Sequence, residues 1–102
     1  MTFTEAKRAF LGALQEDRFV AVPRLGDSDK NLLAQGVVDK EFLMTLIART
    51  KGHEYQSSFH HQDPTVQMHV FKPMLGDVRW YVKGYLLGTL WLVSVHPSEP
   101  KA

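Results

Sequence analysis

The chain has 102 residues, 44% of them hydrophobic and 23% charged, and its formal net charge at pH 7 is +1. This length suits one domain and is too short for a core plus a separate cofactor domain. The composition is that of a globular chain and excludes extended disorder. The small net charge excludes a strong whole-molecule field for nucleic acid, so contact with RNA or DNA requires a local basic patch.

The chain contains no cysteine, which excludes disulfides, thiolate catalysis and zinc sites built on cysteine. No apolar run approaches the ~20 residues of a membrane helix, and the N-terminus lacks the pattern of a signal peptide. We therefore expect a cytoplasmic protein with no membrane partner. We also expect one globular domain over residues 1–97, followed by a frayed tail over residues 98–102.

Two amphipathic helices are predicted in the first half of the chain. The segment from Thr4 to Asp17 begins with a capping residue and an acidic first turn, and it places four apolar residues on one face: Ala6, Phe10, Ala13 and Leu14. Asp39 caps the second helix, whose apolar residues follow at helical spacing: Phe42, Leu43, Leu46 and Ile47. Gly52 then supplies a stop.

The segment between these helices is less regular. Arg18 to Val22 is an apolar run closed by Pro23, which suits an edge strand or an extended connector. Asp27 or Ser28 can cap a short third helix that runs through Gln35.

Residues 53 to 94 predict a meander of four antiparallel strands. The segment is rich in Val, Tyr, Phe, Trp and Leu, and turn sequences interrupt it at Asp63-Pro64, between Pro73 and Asp77, and near Gly88. The predicted fold is α+β, with two to three N-terminal helices packed on one face of a mostly antiparallel sheet of about four C-terminal strands.

Side chains alternate along strands, so the two faces of this sheet can be assigned in part. One face is expected to lie under the helices: Tyr55, Phe59, Trp80 and Val82. The opposite face then presents polar and aromatic side chains to solvent: Gln56, His60, Arg79, Tyr81 and Lys83. Residues 66–72 leave open which alternate set faces the core, although this register favours a structural role for His69. The last strand is apolar on both faces, which predicts Trp91 in the core and a solvated His96 beyond it.

Five short segments follow one another in a fixed order through the second half of the chain: Tyr55-Gln56-Ser57, Asp63, Val70-Phe71-Lys72-Pro73, Tyr81-Val82-Lys83 and Leu92-Val93-Ser94. In order and spacing they resemble the MqsR family of toxins from bacterial toxin–antitoxin systems, whose members carry Tyr-Lys-Ser, Trp-Gln-Asp-Val-Tyr, Tyr-Leu-Lys and Val-Ser-Phe-Lys motifs. The resemblance implies a RelE-like ribonuclease fold, cleavage of messenger RNA without a metal ion or small-molecule cofactor, and control by a cognate antitoxin protein.

Carried over by position, the three catalytic residues of that family fall on Gln56, Met68 and Tyr81. Only Tyr81 keeps the family's identity, because Gln56 stands in place of a lysine and Met68 in place of a glutamine. The resemblance therefore implies a divergent member, whose mechanism must draw on other side chains.

The chemistry of metal-free RNA cleavage indicates which side chains these are. The reaction needs a base for the 2′-hydroxyl, a cation for the charge on phosphorus and an acid for the leaving 5′-oxygen. His60 shares the predicted open face with Gln56 and Tyr81, and an imidazole exchanges protons near neutral pH. We therefore take His60, Gln56 and Tyr81 as candidate catalytic residues. The candidate phosphate-binding residues are cationic: Arg79, Lys83 and Lys72.

Each of these residues also has a structural interpretation. His60 and His61 point to opposite faces of a strand, which makes them poor joint metal ligands and suits surface histidines. Arg79 and Lys83 fit the polar face of a half-covered sheet, and Met68 fits packing. Three classes of function remain: a toxin-like ribonuclease, an inactive relative of the same fold that binds RNA or a protein, and an unrelated helix-plus-sheet interaction domain.

Overall fold

The computed structural model describes residues 1–23, 30–60 and 62–98. Within these residues the chain forms two α-helices, six strands and a short 3₁₀ helix, Gly52–Glu54. The elements are α1 Phe3–Gln15, β1 Phe19–Ala21, α2 Lys40–Arg49, β2 Tyr55–Phe59, β3 Gln67–Phe71, β4 Met74–Leu75, β5 Val78–Leu87 and β6 Thr89–Pro97. The predicted caps of the third helix, His61, and residues 99–102 of the predicted tail lie outside the described residues.

Both predicted amphipathic helices are present, but α1 begins at Phe3 with Thr2 as its cap rather than at the predicted cap Thr4. Local capping explains where both helices begin. The hydroxyl of Thr2 accepts a hydrogen bond from the Glu5 amide at 3.2 Å, and the Glu5 carboxylate accepts one from the Thr2 amide at 2.8 Å. The carboxylate of Asp39 accepts from the Phe42 amide at 2.9 Å and begins α2. No helix in residues 1–23, 30–60 or 62–98 is long and apolar enough to cross a membrane.

The prediction of about four strands in a mostly antiparallel sheet under two to three helices is wrong. The described chain has two α-helices and a mixed six-stranded sheet in the order β1-β6-β5-β3-β2, with β4 paired to β5. The additional strands are short. β4 lies inside the segment predicted as a turn and pairs back on β5 through Gly76, whose φ is +62°.

The parallel pairing of β1 with β6 is the larger departure from the prediction. Phe19 pairs with Leu90 and Ala21 with Leu92. Asn31, which is 1% exposed, secures this edge, because its side-chain amide donates to the carbonyls of Val22 at 3.0 Å and of Leu92 at 2.9 Å. A three-residue strand carries too little periodicity to be told from a connector, so this pairing follows from tertiary contacts.

Both helices cover the same face of the sheet. The Phe10 ring of α1 lies 4.8 Å from Phe71, and the Phe42 ring of α2 lies 4.9 Å from Trp80. Tyr55, Trp80 and Val82 lie on this covered face as predicted, and β3 contributes His69 and Phe71 to it. Phe59 shares the alternation of Tyr55 but is 67% exposed, because β2 is the last strand of the sheet and extends past the helices.

A bulge between β5 and β6 decides which side chains reach the uncovered face. Lys83 pairs with Ser94, whereas Gly84 pairs with Leu92, so Val93 is the extra residue of β6. Without the bulge, strict alternation would place Trp91 and His96 on opposite faces. With it, both lie on the face away from the helices, which we call the open face: Gln56, Ser58, Met68, Val70, Tyr81, Lys83, Tyr85, Trp91, Ser94 and His96. Of these, Met68, Val70 and Ser94 are buried.

Candidate functional site

Cross-strand pairing arranges the open face in rows. One row joins Tyr81 to His96 across β5 and β6, and Lys72 adjoins it at the end of β3, with its ammonium nitrogen 6.0 Å from the centre of the Tyr81 ring. The next row joins Lys83 to Ser94 and, through Val70, to Gln56. A further row pairs Tyr85 with Trp91. The face therefore carries aromatic rings with lysines beside them.

The row of Tyr81 and His96 is the part of the open face best suited to proton transfer. The two rings are stacked, with centroids 5.2 Å apart and planes 21° apart. Nδ1 of His96 lies 2.9 Å from the carbonyl oxygen of Pro97. A carbonyl oxygen only accepts, so Nδ1 donates this hydrogen bond, and in the neutral imidazole the lone pair is then on Nε2. In its neutral form His96 can therefore accept a proton at Nε2, and its ring lies against the Tyr81 ring.

His96 was expected to be solvated beyond the last strand, but it lies within β6 and is half-buried. The continuous apolar run before it hides the alternation that points it to the open face. The signal available in the sequence is the spacing of Ser94 and His96, two polar residues separated by one apolar residue.

The three predicted catalytic residues do not come together. His60 lies at the opposite end of the sheet, where its ring contacts Tyr85 with centroids 6.0 Å apart. Tyr81 and Tyr85 are four residues apart on β5, which separates the two ends by about 13 Å. Gln56 is exposed on β2, two strands away from β5, or about 10 Å. Tyr81 therefore shares its surroundings with Lys72, Lys83 and His96 rather than with His60.

The predicted phosphate ligands differ in their availability. Lys72 and Lys83 are partly exposed on the open face. Arg79 is engaged elsewhere: its guanidinium donates to the Lys72 carbonyl and forms an ion pair with Glu54 at 3.3 Å. The Glu54 carboxylate, 7% exposed, also accepts from the Lys51 amide at 2.9 Å. That backbone hydrogen bond, assisted by the Arg79 charge, lowers the pKa of Glu54. Arg79 thus joins the 3₁₀ helix to the sheet.

His69 occupies the covered face, as its register predicted. It is 2% exposed, lies edge-on to the Phe10 ring at 5.5 Å, and its Nδ1 is 2.7 Å from the Tyr55 hydroxyl. Burial lowers the pKa of His69 to about 4 and raises the pKa of Tyr55. Both groups are therefore neutral at pH 7 and form a buried hydrogen-bonded pair within the core.

Sequence reasoning missed the aromatic pair at the other end of the open face. Trp91 was expected in the core, yet it stacks on Tyr85 with planes 15° apart and centroids 6.3 Å apart. Both rings are partly exposed. The bulge at Gly84 puts Trp91 there, and a glycine inside a strand pattern is the sequence signal for such a bulge.

Comparison with protein-family models, with curated proteins and with solved structures gave no match for this chain. In the part of the chain that the structure describes, no three side chains of His, Asp or Glu are grouped so that they could hold a metal ion.

Proposed function

We propose that this protein is an endoribonuclease of the mRNA interferase type, the cytoplasmic toxin of a toxin–antitoxin module, and that it cleaves RNA without a metal ion. The observation that carries the proposal is the convergence of Lys72, Tyr81 and His96 in one row of the open face, with Lys83 in the next row. Together the two rows supply a proton acceptor, a hydroxyl donor and two ammonium groups, which are the group types that the reaction needs.

The row suggests a role for each side chain. Nε2 of His96 accepts the proton of the 2′-hydroxyl, whose oxygen attacks phosphorus and forms a 2′,3′-cyclic phosphate. The bond from phosphorus to the 5′-oxygen breaks, and the Tyr81 hydroxyl donates its proton to that oxygen. The ammonium groups of Lys72 and Lys83 stabilise the negative charge that builds up on the phosphoryl oxygens. The proton held by His96 then returns to Tyr81 through solvent.

The positions where the chain departs from the MqsR motifs fit this assignment. Gln56 replaces a lysine and Met68 a glutamine. Met68 is only 6% exposed and offers no proton donor or acceptor comparable to an amide. The cationic and basic chemistry therefore falls to Lys72, Lys83 and His96, while Gln56 can hydrogen-bond a phosphate or a base from the edge of the sheet.

A second candidate is an inactive relative of the same family that uses the open face to bind RNA or a protein partner. The loss of the family's lysine and glutamine favours it, as does the net charge of +1. Under this alternative Tyr81 and His96 serve binding alone. Both candidates retain a cognate antitoxin as partner.

The experiment is cleavage of a mixed-sequence single-stranded RNA by purified protein in EDTA. We expect His96→Ala and Tyr81→Phe each to lower the rate at least tenfold, about 1.4 kcal/mol of transition-state stabilisation. His60→Ala is the control, because its ring lies at the other end of the sheet, and its rate at saturating RNA should stay within threefold of wild type. The 5′ fragments should end in a cyclic phosphate.

Three outcomes decide between the candidates. Cleavage that persists unchanged in His96→Ala and Tyr81→Phe would contradict the assigned roles. RNA binding without cleavage by wild-type protein would select the inactive relative. A wild-type protein that neither cleaves nor binds RNA would contradict the ribonuclease, and it would leave the inactive relative that binds a protein partner and the unrelated interaction domain.

A further inference from the structure

The open face carries a second group of aromatic side chains apart from Tyr81 and His96. Tyr85 and Trp91 form a parallel pair with ring centroids 6.3 Å apart, and His60 meets Tyr85 edge-on at 6.0 Å. Nε1 of Trp91 donates to the Leu87 carbonyl at 3.1 Å. Because this bond satisfies the only polar atom of the indole, the surface that Trp91 presents to solvent is its apolar ring.

The position of this pair separates it from the core. The helices cover the opposite face, where Phe10 and Phe42 contact the sheet, and both Tyr85 and Trp91 keep part of their surface exposed. Next to Tyr85 the surface is recessed into a cavity of about 290 Å³ whose walls include His60, Val66 and Leu87. A planar ligand can stack on a flat aromatic surface that lies beside a recess, whereas a closed aromatic cluster offers it no such surface.

The neighbouring charge indicates which planar ligand fits. Lys83 lies between the two aromatic rows, two residues from Tyr81 and two from Tyr85 on the same face. Proteins that bind single-stranded nucleic acid combine such cations, which contact phosphate, with aromatic rings on which bases stack. A base on Tyr85 and Trp91 would place its own strand over Lys83 and toward Tyr81.

We infer that Tyr85 and Trp91 form a base-stacking subsite that holds a nucleobase of the RNA about 13 Å from the cleaved bond. This inference rests on the proposed function and adds to it the residues that bind the RNA at a distance from the cleaved bond. It assigns the subsite to stacking and the row of Lys72, Tyr81 and His96 to the reaction.

The test is the affinity of a labelled, non-cleavable 2′-O-methyl RNA octamer for wild type and variants. Trp91→Leu and Tyr85→Leu should each weaken binding about tenfold, since each removes an aromatic ring on which a base stacks. Trp91→Tyr keeps a ring and should stay within threefold of wild type. Phe59→Leu is the matched control: it removes an exposed aromatic from the covered face and should change nothing.

A second measurement varies the RNA rather than the ring. Octamers that each lack one base should bind wild-type protein unequally, and the octamer that loses most affinity on wild type should lose none on Trp91→Leu. Equal binding of all abasic octamers, or undiminished binding by both leucine variants, would overturn the inference while leaving cleavage at Tyr81 and His96 intact. A wild-type protein that binds no RNA would overturn the proposed function and this inference together.

Discussion

The two histidines His60 and His96 are both half-buried but contact different side chains. The ring of His60 meets Tyr85, although the sequence favoured His60 as a catalytic residue because strand alternation predicts it on one face with Gln56 and Tyr81. The structure places His96, not His60, against Tyr81. Alternation along one strand can be predicted from the sequence. Which strand pairs with it, and in which register, depends on tertiary contacts that the sequence alone does not supply.

His69 makes the free energy of unfolding fall as the pH is lowered from 6.5 to about 4. Its pKa in the folded protein is about 4, against an ordinary value of 6.5 for a solvated histidine. Above pH 6.5 neither state binds the proton and the full stability is present. Between pH 6.5 and 4 the unfolded chain binds a proton that the folded protein excludes, so the free energy of unfolding falls as pH falls. The loss from this residue is about 3 kcal/mol in all.

Urea denaturation at pH 7.0 and pH 4.5 checks this prediction when wild type is compared with His69→Gln. Glutamine keeps an acceptor for the Tyr55 hydroxyl but does not titrate. We expect wild type to lose about 2 kcal/mol more than the variant between the two pH values. Equal losses in the two proteins would show that His69 does not resist protonation.

At the scale of elements, the bulge between β5 and β6 shapes the open face. Gly84 allows it: a Cβ at this position would lie 2.7 Å from the backbone carbonyl oxygen of Trp91 and 3.4 Å from the Phe10 ring. The carbonyl belongs to the paired strand and cannot rotate away. Both the register of β6 and the placement of Trp91 therefore depend on the missing side chain.

Gly84→Ala should destabilise the protein by about 1–3 kcal/mol, because overpacking against backbone forces the strands apart. Gly12→Ala is the matched control, since nothing lies within 4 Å of a Cβ there and the residue is inside α1. That change should be neutral or stabilise by up to about 1 kcal/mol. Thermal or urea unfolding of both variants measures the difference, and an equally mild effect at Gly84 would mean that β6 can shift to accept the methyl group.

The helices and the strands differ in how far they could be predicted. Thr2, Glu5 and Asp39 form caps from residues three apart, so the helix starts are fixed locally. The prediction was right for Asp39 and two residues late for α1, because Thr2 rather than Thr4 is the cap. The four longer strands are also legible from composition and turns. The parallel addition of β1 depends on Asn31 bonding to a strand 61 residues away, and no local pattern encodes such a partner.

The two faces of the sheet have different roles in the whole molecule. The helices use one face to build the core, and the other face displays aromatic rings, His96, Lys72 and Lys83. The net charge of +1 provides little long-range attraction for RNA. Under the proposed function, affinity therefore comes from local contacts, with bases stacked on Tyr85 and Trp91 and phosphate held by two lysines.

The NMR footprint of a non-cleavable 2′-O-methyl RNA octamer on the isotopically labelled protein shows which face of the sheet RNA contacts. Binding to the open face predicts the largest amide and side-chain shifts at Lys72, Tyr81, Lys83, Trp91 and His96, with α1 and α2 unaffected. Shifts concentrated on the helices, or no shifts at saturating RNA, would contradict the claim that the open face of this sheet is an RNA-binding surface.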